Sequence, residues 1–227
     1  MLSGIRKRLA GRADLGGSPP PDSQSPYGQK EADFIYNLLF CDDPSLFRAA
    51  ADQQADDPLH TVLQKDADAG AIRAIADDES LESRVRCLAF NWLRRNHQPV
   101  PKGKLLGTIV ELGLPAGLDV IAAFVDGRVR YINQTGKLAV FEATPPQVAA
   151  EAANLLAVSK PIVGRIGPWD KPRRPRPPQG SLRMTFLVSD GLYFGEGPVS
   201  AMQNDPLAGP VYAQAGRLVQ AITRAVV

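Results

Sequence analysis

The apolar positions along this chain change their period twice, and those changes divide it. Between residues 29 and 97 they recur at helical spacing. Phe34, Ile35, Leu38 and Leu39 share one side of a predicted helix Glu31–Phe40. Asp43-Pro44 and Asp57-Pro58 each set a capping acid before a proline at the first helical position, which predicts helices Pro44–Ala51 and Leu59–Gln64. Asp68 is placed to cap Ala69–Ala76. Leu81, Val85, Leu88 and Trp92 then form one stripe and predict a helix Ser80–Asn96. Asp78, Glu79 and Glu82 lie near its start and Arg94 and Arg95 near its end, as the helix dipole favours.

Pro99 and Pro101 stop that pattern, and over Lys102–Glu142 the text becomes strand-like. Strands are predicted at Lys104–Leu112, Leu118–Val125, Arg128–Asn133 and Lys137–Glu142, as an antiparallel meander. Asp126-Gly127 is the strongest turn between them, and both residues tolerate the positive φ of a type I′ hairpin. In the second strand Val120, Ala122 and Phe124 alternate with Ile121, Ala123 and Val125. Both sets are apolar, so this strand should be covered on both faces. In the third, Arg128 and Arg130 alternate with Val129 and Tyr131, which predicts one wetter face.

Helical spacing returns at Gln147–Val158, with Val148, Ala152, Leu155 and Leu156 as the stripe. Residues 159–180 read as irregular. Leu182–Ser189 and Leu192–Glu196 are predicted strands about an Asp190-Gly191 turn, followed by a loop Gly197–Pro206. Ala208–Val227 closes the chain as a helix with Val211, Ala215, Leu218 and Ile222 in line.

The expected fold is therefore α+β: an N-terminal helical region, then a mainly antiparallel sheet in the order ββββ-α-ββ-α with helices packed on it. The two later helices should cover one face, and the helical region the other face or an edge. Residues 1–26 are expected to be a flexible basic and Pro-rich tail, 27–98 the helical region, and 99–227 the sheet domain with a Pro/Arg-rich loop at 165–180. The element order is similar in architecture to profilin-like and roadblock-like α/β sandwiches. No motif accompanies that likeness, and it implies no activity.

Composition leaves this picture intact. The chain of 227 residues is 44% hydrophobic and 22% charged, as in ordinary soluble globular proteins. No apolar run reaches the roughly 20 residues of a membrane span, and the N-terminus lacks the apolar core of a secretory signal. Cys41 and Cys87 read as buried free thiols of a reducing compartment, which points to a cytoplasmic protein. The net charge of +2 conceals a basic start: Arg6, Lys7, Arg8 and Arg12 give residues 1–12 a charge of +4, whereas residues 29–97 sum to −5. A sequence pI near 8.6 is thus poor support for nucleic-acid binding.

Motifs with chemistry are few. There is no phosphate-cradling glycine loop and no nucleophile elbow. His60 and His97, the two histidines, read as helix-end residues, and Asp77, Asp78 and Glu79 as a first-turn acidic group. Neither a metal site nor a cofactor is expected. Glu111 and Glu142 are acids inside apolar strand text and would raise each other's pKa if adjacent; the plainer expectation is that each points to solvent or pairs across strands with Arg128, Arg130 or Lys137. The segment Pro168–Pro178 stands out. Its prolines favour an extended backbone on which Trp169, Lys171, Arg173, Arg174 and Arg176 would line an open ribbon for a partner.

The functional expectation is a non-enzymatic protein-interaction protein, an adaptor or accessory subunit of a bacterial-type cytoplasm. It would bind another protein through that segment and, secondarily, through the tail residues Arg6, Lys7, Arg8 and Arg12. One alternative is an enzyme with a site near strands 104–142, drawn from Glu111, Arg130, Tyr131 and Asn133. Another is a weak nucleic-acid or membrane-surface binder acting through the basic segments. The oligomeric state is left open.

Overall fold

The structure, a computed structural model, describes residues 24–48, 57–141 and 144–226. Six strands, β1 (Leu105–Leu114), β2 (Gly117–Phe124), β3 (Val129–Ile132), β4 (Leu138–Phe141), β5 (Ser181–Val188) and β6 (Gly191–Pro198), make one sheet. Its order is β4-β3-β2-β1-β5-β6, and every neighbouring pair is antiparallel. Among the described residues seven α-helices accompany it: α1 (Lys30–Leu38), α2 (Pro58–Leu63), α3 (Ala69–Asp77), α4 (Ser83–Arg95), α5 (Pro146–Val163), α6 (Val199–Met202) and α7 (Ala208–Val226). The class is α+β, as the periodicity predicts. No described helix is long and apolar enough to cross a membrane.

The sheet has a helical layer on each side. On one face α5 and α7 bury Val148, Ala152, Leu155, Val211 and Leu218 against Val110, Ile121, Met184 and Phe186. On the other, α1 to α4 and the turn after α1 bury Tyr36, Phe40, Ile72, Leu88, Phe90 and Leu93 against Leu106, Ile109, Val120, Ala122 and Phe124. Strand β2 contributes to both clusters, as its doubly apolar text requires.

The Asp126-Gly127 hairpin forms, but with a different turn. Only Gly127 has a positive φ, +84°, where a type I′ turn would need one at Asp126 as well. The reason lies in a contact from far along the chain. The Asp126 carboxylate accepts the Ser83 N–H at 2.8 Å, and the Asp126 N–H donates to the Ser83 hydroxyl oxygen at 3.1 Å. The turn thereby caps α4, which starts at Ser83 rather than Ser80.

Other boundaries shift for local reasons. Asp43 accepts the Ser45 N–H at 2.9 Å, but what it starts is a 3₁₀ turn, Pro44–Phe47; residues 49–51 of the expected helix lie outside the described residues. Helix α4 buries Arg86, Ala89, Phe90 and Leu93 beside Leu88, and leaves Val85 and Trp92 half-buried, because it is packed on more than one side. Helix α5 continues through Pro161 to Val163; burial of Ile162 and Val163 offsets the hydrogen bond the proline cannot make. The second hairpin turns on Ser189-Asp190, and Gly191 already opens β6. The expected wet face of β3 is absent: Arg130 is buried and donates to the carbonyls of Val129 and Phe141.

Candidate functional site

The helices cover only part of their face of the sheet. Over β5 and β6 the cover is the segment Pro168–Pro178, an extended strap without regular secondary structure. It is held at both ends by backbone contacts. The Trp169 N–H donates to Leu192 O at 2.7 Å, and the Ser181 N–H donates to Pro178 O at 3.0 Å. Gly113 of β1 lets the strap approach, since a Cβ there would stand 2.1 Å from Pro178 O.

The strap's bases do not all line an open ribbon. Arg173 turns inward, with its side chain only 10% exposed. Its Nε donates to Asp42 Oδ2 at 2.9 Å and an Nη to Asn37 Oδ1 at 2.8 Å. The guanidinium lies 4.0 Å from the Phe40 ring centre and 5.4 Å from that of Tyr36. Arg176 is exposed and donates to Pro26 O at 2.8 Å. Arg174 is half-exposed, 3.9 Å from Glu196, and its carbonyl accepts from the Gln24 amide at 2.7 Å. Trp169 packs edge-on to Phe194 at 4.8 Å, and its indole N–H donates to Pro172 O. Lys171 is exposed, 5.5 Å from the Trp169 ring centre. The tail residues Arg6, Lys7, Arg8 and Arg12 lie outside the described residues.

Beneath the strap is a buried polar network. Glu111 of β1 pairs in register with Arg183 of β5, which pairs with Glu196 of β6. Tyr36 of α1 donates its hydroxyl to Glu111 Oε1 at 2.7 Å. Arg183 Nε donates to Glu196 Oε2 at 2.7 Å, and its terminal nitrogens donate to the strap carbonyls of Arg174 and Pro175. An Arg183 Nη is 3.8 Å from Glu111 Oε2, an oxygen with no hydrogen-bond partner. Burial pushes the Glu111 carboxyl above its ordinary value; Arg183 and the Tyr36 hydrogen bond pull it part of the way back. Burial, then the Glu111 charge, pushes the Tyr36 hydroxyl well up. Glu111, at 0% exposure, is closed to solvent, whereas Glu196 at the edge of the network is partly exposed.

Access exists beside it. Where the strap meets the loop after α1, a cleft of about 540 Å³ opens, lined by Asn37, Asp42, Asp43, Arg95, Lys171 and Arg173 among others. Lys171 and Arg95 stand exposed at it, and an Arg95 Nη donates to Asp42 O at 3.0 Å. Asp43 is spent on capping the 3₁₀ turn. The cleft therefore offers fixed hydrogen-bonding groups and two accessible cations, and it lies in the size range of ligand sites.

The other residues singled out from the sequence do not converge. Tyr131 donates to Asp119 on the sheet face opposite Glu111, and burial followed by the Asp119 charge pushes its hydroxyl up to about 12. Asn133 accepts the Thr135 and Lys137 N–H groups in the β3–β4 turn. Glu142 lies outside the described residues. Glu111 neither points to solvent nor pairs with Arg128, Arg130 or Lys137; it is buried and meets Arg183. His60 contacts Gln64, and His97, at φ +55°, ends α4. Cys41 and Cys87 are buried free thiols, and burial first, then Cys87, pushes the Cys41 thiol up. Among the described residues no three His, Cys, Asp or Glu groups gather to hold a metal. Sequence reasoning missed Arg183; the signal was there, since a lone charge inside the apolar text of β5 matches Glu111 inside that of β1. No family model, no curated protein and no solved structure matches this chain.

Proposed function

We propose that this protein acts by binding another protein, as an adaptor or accessory subunit, and that the partner docks at the cleft between the strap and the loop after α1. The observation that carries this reading is the cleft itself, with Lys171 and Arg95 accessible beside a floor held rigid by the Arg173–Asp42 pair. Acidic side chains of a partner fit the two cations, which are steering charges of the kind that set specificity. The sealing of Glu111 and the scatter of Arg130, Tyr131 and Asn133 leave the enzyme alternative without an assembled acid–base pair. A nucleic-acid role finds little in the strap, whose one aromatic ring, Trp169, already packs on Phe194. Two buried thiols left unpaired suit a bacterial-type cytoplasm.

The test is co-purification from the native host at native expression level, comparing the natural chain with Lys171→Glu and Arg95→Glu. The expected result is a partner captured by the natural chain and lost from both variants, at unchanged unfolding midpoints. Identical captured sets from all three proteins would sink the assignment of this cleft.

A further inference from the structure

Strand β6 forms one edge of the sheet, and two flanking hydrogen bonds fix where its backbone groups point. Trp169 donates to Leu192 O from outside the sheet, and Val199 N–H donates inward to Gly180 O at 2.9 Å. In an antiparallel ladder the direction alternates residue by residue. Tyr193, Gly195 and Gly197 therefore bond to β5, while Leu192, Phe194 and Glu196 face outward. The Leu192 carbonyl is taken by Trp169, and Pro198 has no N–H. What remains is a window of two residues, Phe194 and Glu196, whose N–H and C=O groups have no partner among the described residues.

Edge strands are ordinarily blunted by lysines, prolines, bulges or a covering segment, because an open edge is a template for another strand. Between Leu192 and Gly197 β6 has no lysine, proline or bulge and a single charge, Glu196; the strap packs Trp169 on the Phe194 ring, but among the described residues no segment pairs with the outward backbone groups of this stretch. It has Gly195 in the middle of the window, where an added Cβ would meet nothing within 4 Å. A glycine in a strand suits close approach of a second backbone.

We propose that a second copy of this chain pairs here, β6 to β6, antiparallel about a twofold axis through Gly195, so that two sheets run on as one. The window is self-complementary in that register. Phe194 of each copy exchanges both hydrogen bonds with Glu196 of the other, making four bonds in all. A register centred on Glu196 would set two carboxylates opposite each other. One centred on Phe194 would call on Leu192, whose carbonyl is occupied. At the axis Gly195 faces Gly195 as a non-hydrogen-bonded pair, the position where backbones come closest, about 4.5 Å between Cα atoms. Arg174, 3.9 Å from Glu196, balances the acid at the seam. An interface this small gives a weak, concentration-dependent dimer of closed twofold symmetry.

The experiment is sedimentation velocity of the full chain over a concentration series, with Phe194→Pro and Phe194→Ala. Proline at 194 removes the ring and an outward N–H and leaves the bonds to β5 intact, whereas alanine removes the ring and keeps the N–H, so the difference between the two variants reads the N–H alone. The natural chain and Phe194→Ala are expected to self-associate, and Phe194→Pro to do so about 10- to 100-fold more weakly. Amide exchange at Phe194 and Glu196 of the natural chain supplies a readout that needs no variant: it should slow as concentration rises. A natural chain that stays monomeric throughout, or whose Phe194 and Glu196 amides exchange at the same rate at every concentration, overturns the proposal. So does a Phe194→Pro variant that associates as the natural chain does, and so does protection of this edge by a different protein bound to a single copy.

Discussion

Replacing Arg173 by alanine should cost about 3 kcal/mol, and the figure can be built from its contacts. The side chain makes two charge-assisted hydrogen bonds, to Asp42 at 2.9 Å and Asn37 at 2.8 Å. Such bonds contribute roughly 1.5–3 kcal/mol each when buried. The Asp42 side chain is 27% exposed, so water can replace part of what it loses and the lower end applies. Asn37 Oδ1 keeps the Gln24 N–H at 3.1 Å, which lowers the penalty on that side. The guanidinium over Phe40 adds about 0.5–1 kcal/mol. In a chain of this size a loss near 3 kcal/mol lowers Tm by about 6–12 °C if the whole molecule unfolds together. The assay is denaturant unfolding of Arg173→Ala, Asp42→Ala and the double variant, with Arg174→Ala as the control. The cycle should return a coupling energy of about 1–2 kcal/mol between residues 173 and 42, and Arg174→Ala, half-exposed, should move stability by about 0.5 kcal/mol or less. If Arg173→Ala is no more damaging than Arg174→Ala, the strap is not anchored as described.

Two further predictions test the same region from other sides. Gly113→Ala drives a Cβ into the carbonyl of Pro178, which is backbone and cannot swing away; stability should fall by about 2–3 kcal/mol, with faster proteolysis within 168–178, and an unchanged midpoint would contradict the close approach. Glu111→Gln should change the pH dependence of unfolding by urea: burial raises the folded-state pKa above its ordinary 4.5, so the natural chain loses stability as pH rises from that value through the folded one. The variant lacks this loss, and its stability relative to the natural chain should climb with pH across the window, whereas a flat or falling difference would show that Arg183 outweighs burial.

How much of this was legible depended on range. The strands declared themselves through alternation and turn residues, because a strand's two faces are written two residues apart. The doubly apolar β2 and the stripe of α7 needed no tertiary information. Features set by distant partners were not legible. Asp126 departs from a type I′ turn because its side chain and N–H serve Ser83, 43 residues earlier. Arg130 looks like a solvent-facing residue in the text of β3 and is buried through carbonyl acceptors on its own strand and β4. Arg173 reads as a free base among prolines, and nothing nearby in sequence announces Asp42 or Asn37, 131 and 136 residues away.

The proline content of the strap follows from what it must cover. The helices hide the apolar half of their face, but over β5 and β6 that face carries Arg183 and Glu196. An apolar helix laid there would leave the Arg183 guanidinium unsolvated, and a helix has no spare mid-length carbonyls to offer it. An extended segment has spare carbonyls, because its backbone makes no internal ladder. It also carries N–H groups that would themselves be stranded on burial. Prolines at 168, 172, 175, 177 and 178 remove five of the strap's eleven N–H groups while keeping every acceptor. The carbonyls of Arg174 and Pro175 then close the guanidinium's shell together with Glu196, and Pro177 is buried at no hydrogen-bonding cost on its nitrogen. The composition that suggests a ligand ribbon in the sequence is thus also what a cover for a buried arginine needs. Of the strap's basic residues, Lys171, Arg174 and Arg176 keep exposed side chains, and Lys171 lies at the cleft.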